Sequence, residues 1–488
     1  FPNRIGATAK NDVFLEVSDL IRENDPNTGA LSLNSFAIST EEGDVDVNVL
    51  SGVGGSNYFG SFTVGDDLTL NGVDSNFNVQ TDLTGNGKID ADTGGSVQFT
   101  ETEGDLRVGD IRSGGRLRLT SQNGDIIDAL NDAATDAKGT ELFLAANKGI
   151  GSSDNALEID STALFVSADE DVHLIETVGN LNILEVKSDE GDVHLTAQSG
   201  AIRDANWQFQ IIPGDVKAKE VHLTSQTGTI GTQNDAIEIN STLLRASSQG
   251  LTHVEEIEGN LNVNQVTSTQ GDVILTADQS ILDANDSDAS NVNAVGTRLE
   301  ATNGSIGTSA NPFEIISETL NASASTSIDL IEVQDDLTVE SATANGGDIK
   351  IEAESTLGAG AITADGNRIT LMGDSIRDFG DNGVPTLLKA DEMVLIGSMG
   401  IGTDGDPLES EVDRLKVLNG SSGGVFLDNA NALTFAELNN LDPSTISGGV
   451  ISAGGNVNIH DDLLYLGDAT LEARSDINIP EEVSLVNG

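Results

Sequence analysis

The sequence predicts an all-β chain wound as a parallel β-helix, a β-solenoid of about 20 residues per coil, and three observations carry that expectation. The phrase GNLNILEVKSDEGDVHLTAQSGAIRDA from Gly179 returns as GNLNVNQVTSTQGDVILTADQSILDA from Gly259. Within it apolar residues alternate, as in Leu181 and Ile183, Val193, Leu195 and Ala197, or Val273 and Leu275. A period of two means strands, here roughly three to six residues long. Between these runs stand GD, GN, DD, SG and NG pairs, which tolerate the turn conformations needed at corners. No helical apolar spacing survives for about ten residues, so helix should be rare.

The offsets map the organisation. Gly179 to Gly259, Gly191 to Gly271, Ile150 to Ile230 and Glu158 to Glu238 each differ by 80 positions. Gly228 to Gly304 and Glu238 to Glu314 differ by 76, Glu314 to Glu409 and Asp283 to Asp378 by 95, and Leu106 to Leu181 by 75. These relations define four super-repeats, 104–178, 179–258, 259–334 and 335–430, within a β-helix spanning 43–433. At about four coils per unit the chain would hold some 24 coils, and at about 4.8 Å per coil it would form a rod of roughly 115 Å. Ahead of Gly43 the run around Ile21 to Asn27 breaks the pattern, so 1–42 reads as a cap or joint. Residues 434–488 are degenerate, yet GGNVNIHDDLLYL still reads as coil. They are expected to be terminal coils open to continuation or assembly, with like subunits or adjacent domains as end-to-end partners.

Composition narrows the function classes. Asp plus Glu outnumber Lys plus Arg by 80 to 23, and the resulting net charge of −57 argues against nucleic acid or an anionic membrane as partner. Cysteine is absent, which removes disulfides, thiolate metal sites and cysteine nucleophiles. No apolar run of about 18 residues suggests membrane insertion, and FPNRIGATAK does not read as a signal peptide. Aromatics are only 3%, which suits stacked rungs of Val, Ile, Leu and Ala better than an ordinary globular core.

GDVHLTAQSGAIRDA, TGTIGTQNDAIEINSTLL and GNLNVNQVTSTQGDVILTA resemble the repeats of large bacterial secreted or surface β-helix proteins of the filamentous-haemagglutinin-like adhesin type. The resemblance covers 104–430 strongly and the remainder loosely. It implies a right-handed coil, export, an extracellular or cell-surface location, and work as an adhesin, spacer or surface fibre. The secretion domain expected near the start of such proteins is not recognisable here.

Candidate chemistry is sparse. TDLTGNGKIDADT matches much of a calcium loop, with Asp82, Asn86, Asp90 and Asp92 as candidate ligands; calcium is the one cofactor suggested. Thr84 and Thr93 stand where that loop carries acids, and a plain polar turn is the simpler reading. Asp128, Asp204, Asp283 and Asp378 recur once per super-repeat at about 19 Å, too far apart to share an ion, and are expected to bond their own turns. His194 and His222 lie in VHLT contexts whose Val and Leu point inward, so these imidazoles should face outward. His173 and His253 are equivalent at an offset of 80.

The segments after each IRDA-type turn vary, and insertions at one repeat position project from one face. Trp207 and Phe209 fall there and are candidates for a partner-binding loop or for shielding the stack beneath. No paired acid, nucleophile and base constellation stands out, so no catalysis is expected. The reading is a non-catalytic extracellular stalk, adhesin segment or fibre subunit. The alternatives are a module binding a glycan or protein of a host or surface, and a carbohydrate-active β-helix enzyme.

Overall fold

A computed structural model describes residues 4–17, 34–49, 57–205, 214–285, 287, 289–380, 387–420, 422–436, 438, 444–465, 467–480, 483 and 485–487. These residues form a β-solenoid without helix, in about 20 turns of ~21 residues. The turn count falls below the 24 expected from length because outward segments such as 129–136 take residues out of the coil. Strands are also longer than expected: Leu157–Ala168 keeps one register against Ala137–Ala146, and Thr356–Gly373 continues past a register shift between Ala364 and Arg368. The chain divides into two compact units, Phe1–Gln249 and Gly250–Gly488.

In the first unit, like residues stack on like. Val172 pairs with Val193 and Val193 with Val221, while Leu174, Leu195 and Leu223 form the next rung. All six are at most 1% exposed, so the alternation read from sequence is the inside-outside pattern of the coil. Near its start the stack turns aromatic, with Phe36, Tyr58 and Phe77 at ring separations of 6.0 and 5.7 Å. The ladder begins ahead of Gly43: Arg4–Ala9 pairs in parallel with Asn34–Thr40, and Val13–Val17 with Val45–Val49.

The second unit repeats the construction. Val273 and Leu275 pair with Thr297 and Leu299, and Ile328 and Leu330 with Ile349 and Ile351. Parallel pairing continues to Leu463–Tyr465 against Leu485–Asn487.

Two corner devices recur. Ser121, Ser188, Ser225 and Ser268 are buried, yet each hydroxyl donates to a carbonyl of the preceding coil and accepts the N–H of Gly124, Gly191, Gly228 or Gly271. The second device is a glycine with positive φ after the Ile of a short bridge. Gly151 (φ 64°) and Gly307 (φ 63°) sit where an added Cβ would lie 2.4 Å from the His173 carbonyl or 2.2 Å from that of Asp329. This corner sends the chain through 152–155 or 308–311 and back into the coil at Leu157 or Phe313, one residue before a buried glutamate.

Candidate functional site

Alternation places Glu158 on the outward side of its strand, between inward Leu157 and Ile159, yet it is only 5% exposed. Two other acids account for its burial. The chain leaves the coil after Ile126–Asp128, runs outward through 129–136, and re-enters at Ala137–Ala146; both strands pair with Leu106–Ser113. At re-entry the Asp136 carbonyl accepts from the Ile111 N–H at 2.7 Å, and the Asp136 N–H donates to the Glu158 carbonyl at 2.9 Å. The Glu158 N–H donates to Asp136 Oδ2 at 3.0 Å, and Asp128 Oδ1 accepts from the Leu130 N–H at 2.6 Å.

One oxygen of each aspartate is therefore held by backbone. Asp128, Asp136 and Glu158 each offer a carboxylate oxygen, all within 4.8 Å of one another. Asp128 Oδ2, Asp136 Oδ1 and Glu158 Oε2 are buried and no donor reaches them. Burial pushes the Asp136 carboxyl up to about 8, with Asp128 and Glu158 acting in the same direction. Burial also raises Glu158.

The second super-repeat rebuilds the group from Asp204, Asp215 and Glu238, again within 4.8 Å. Asp215 donates to the Glu238 carbonyl at 2.8 Å and accepts from the Glu238 N–H at 3.0 Å. Burial first, then Glu238 and Asp204, push Asp215 up to about 10. The third copy changes one residue. Asn291 keeps both backbone bonds to Glu314, at 2.8 and 3.0 Å, while its amide nitrogen donates to Asp283 Oδ1 at 2.5 Å and to the Val263 carbonyl at 3.0 Å. In the fourth copy Leu387 holds the re-entry position, its carbonyl accepting from the Ile362 N–H.

A second series of buried acids closes the coils: Glu101, Glu176, Glu256 and Glu332, each at most 1% exposed. Glu332 accepts backbone N–H groups from Ser317, Gln334 and Asp335 at 3.0, 2.9 and 3.2 Å. Asn429 takes this place in the fourth copy, accepting from the Val412 N–H and donating to the Val412 and Asn431 carbonyls. Burial raises Glu176 to about 8.

His173 and His253 are the second residues of Val172–Glu176 and Thr252–Glu256, equivalent as their offset indicated. His173, His194 and His222 stack in one ladder, with ring centroids 4.3 and 4.1 Å apart. His194 and His222 face outward and are half-buried. Burial, then the neighbouring imidazoles, lower His194 to about 4.

The four residues of the calcium-like loop are spread along the surface. Asp82 lies on Asn76–Leu83, Asn86 on an exposed turn, and Asp90 and Asp92 on Ile89–Thr93. Asp90 is engaged by Lys88 and by the Asp110 N–H. Among the described residues, Asp82, Asp90 and Asp92 belong to neither group of converging acids. Trp207 and Phe209 lie outside the described residues.

Asp128 bonds its own turn, as the sequence suggested, but its neighbours across the site are Asp136 and Glu158 rather than the next aspartate of the series. Sequence reasoning missed both. Glu158 carried a signal in its offset of 80 to Glu238. Asp136 and Asp215 carried one in their place just before the chain resumes its alternation. No family model, no curated protein and no solved structure matches this chain.

Proposed function

We propose that the chain is a non-catalytic structural solenoid of a bacterial surface, a stalk, adhesin segment or fibre subunit that works outside the cell. The observation that supports this reading is coil-to-coil bonding at recurrent corners and outward segments. Buried serines tie corners, buried glutamates gather backbone N–H groups, and acid triads fasten outward segments to the next coil. Such a body resists bending and separation of coils, because each ladder bond is backed by apolar rungs. Immunogold labelling of native cells with an antibody to the purified full chain tests the proposal. Label beyond the outer envelope is expected, and label confined to the cell interior overturns it.

A second reading, a glycan-binding module, is supported by one outward ladder in the first unit. Phe59, Asn78, Gln98, Arg118, Phe143 and Phe165 are successive register partners. Arg116 and Arg118 stand over the Phe143 ring at 4.9 and 4.6 Å. A shallow groove of about 580 Å³ borders this ladder, lined in part by Phe59, Gln98, Arg118 and Glu141. Aromatic faces beside amide and guanidinium donors suit a sugar ring, and side chains one coil apart suit an extended chain. Glycan-array binding by the full chain that is lost in Phe143→Ala with Arg118→Ala would favour this reading.

A further inference from the structure

We propose that Asp128, Asp136 and Glu158 bind a hard divalent cation of the calcium class. The inference is independent of the surface role. Three observations carry it.

The first is convergence: three carboxylates drawn from separate points of the chain bring oxygens within 4.8 Å of one another. The second is the orphaned oxygens. Asp128, Asp136 and Glu158 are 4%, 1% and 5% exposed, and each keeps one buried oxygen that no N–H or O–H reaches. Buried acceptors of this kind are costly unless something positive satisfies them. The third is the internal variant at Asn291, where an amide nitrogen donates to the turn aspartate, Asp283. With the same backbone frame, the amide copy supplies a positive hydrogen to Asp283 Oδ1 from a position where the acid copy has only oxygen, while Asp283 Oδ2 stays without a donor there as well.

The donor set selects the ion class. All three side chains are carboxylates, with no imidazole or thiolate, so magnesium, calcium or manganese chemistry is favoured over zinc or copper. Calcium takes about six to eight oxygens in flexible geometry, of which three carboxylates supply a charged share. The cation would tie the re-entry point of 129–136 to Glu158 on the following coil. Binding and docking of that outward segment are then linked.

The test uses the full chain, stripped with chelator and desalted, at pH 7.5 in about 0.5 M NaCl so that diffuse binding to the acidic surface is screened. Equilibrium dialysis against calcium compares wild type with Asp136→Asn. The asparagine reproduces a side chain this fold already accepts at Asn291, and circular dichroism checks that the fold persists. One saturable calcium ion fewer is expected in Asp136→Asn than in wild type. Calcium should raise the melting temperature of wild type more than that of the variant.

Asn291→Asp is the reciprocal test, expected to add one ion, and it stands even if Asp136→Asn fails to fold. Equal uptake by wild type and Asp136→Asn would mean binding to surface acids only and overturn the proposal. Absence of saturable uptake in wild type, with proton uptake alone balancing the cluster, would overturn it as well.

Discussion

Asp128, Asp136 and Glu158 in the first unit and Asp283, Asn291 and Glu314 in the second are nearly one structure with two chemistries. The re-entry residue donates to the glutamate carbonyl at 2.9 Å in one and 2.8 Å in the other, and its side-chain oxygen accepts the glutamate N–H at 3.0 Å in both. The remaining atom differs, a carboxylate oxygen with no donor in one and an amide nitrogen that reaches its aspartate in the other. The backbone frame therefore asks for an acceptor at one end of this side chain and tolerates either an acceptor or a donor at the other. What the frame leaves open is where binding chemistry can enter.

The frame itself carries the largest stake. Leu195→Asp would place an unpaired charge among the buried rungs of the first unit, at a cost of roughly 3–5 kcal/mol in denaturant unfolding. His194→Ala, at the adjacent outward position, should cost less than about 1 kcal/mol. Equal tolerance would break the inside-outside assignment on which the comparison rests.

Next comes Asn291→Leu, which strands the Glu314 N–H and removes the donor to Asp283. With about 1–3 kcal/mol for each buried polar group left unsatisfied, a loss of roughly 2–5 kcal/mol is expected from chemical denaturation. A loss below about 1 kcal/mol would show that the side chain is not what holds the re-entry point. Leu387 in the fourth copy makes this a sharp test, since a leucine is accommodated there.

The acid-or-amide comparison extends to Glu176 and Asn429. Burial raises Glu176 to about 8, above the ordinary 4.5 that it regains on unfolding. The folded state thus binds the extra proton between these values, and stability falls as pH rises through that window. The contribution is complete below about pH 4.5 and lost above about pH 8. Glu176→Gln should flatten this part of a pH series of melting temperatures, and an unchanged slope would remove Glu176 as its source.

The smallest effect belongs to the imidazole ladder. His194 is lowered from 6.5 to about 4, so between these values the unfolded chain binds a proton that the folded chain does not. Stability is expected to decline as pH falls from about 6.5 to about 4, and His194→Asn should remove part of that decline. A decline of the same size in the variant would assign it to other groups.

Much of this was legible in the sequence, because the solenoid is periodic at two levels. Val193 and Leu195 announced inward rungs by alternation, and the offsets announced the copies. The site was only half legible. Asp128 and Glu158 recur visibly, but Asp136 ends a segment whose length and composition change from copy to copy, so no offset ties it to Asp215. The longer period rightly made His173 and His253 equivalent, but it did not disclose the shorter step that stacks His173 on His194.

By itself the sequence determined the β-solenoid, the inward and outward faces, and the acidity of the surface, because alternation and composition are local properties of the chain. Tertiary structure alone decided which outward residues are buried, since Glu158 is exposed or covered according to where the insertion re-enters the coil. It also decided that three acids spread over 30 positions, Asp128 to Glu158, share one small space. Coil-to-coil register brings distant residues together, and that register depends on the lengths of the outward segments and not on any single motif.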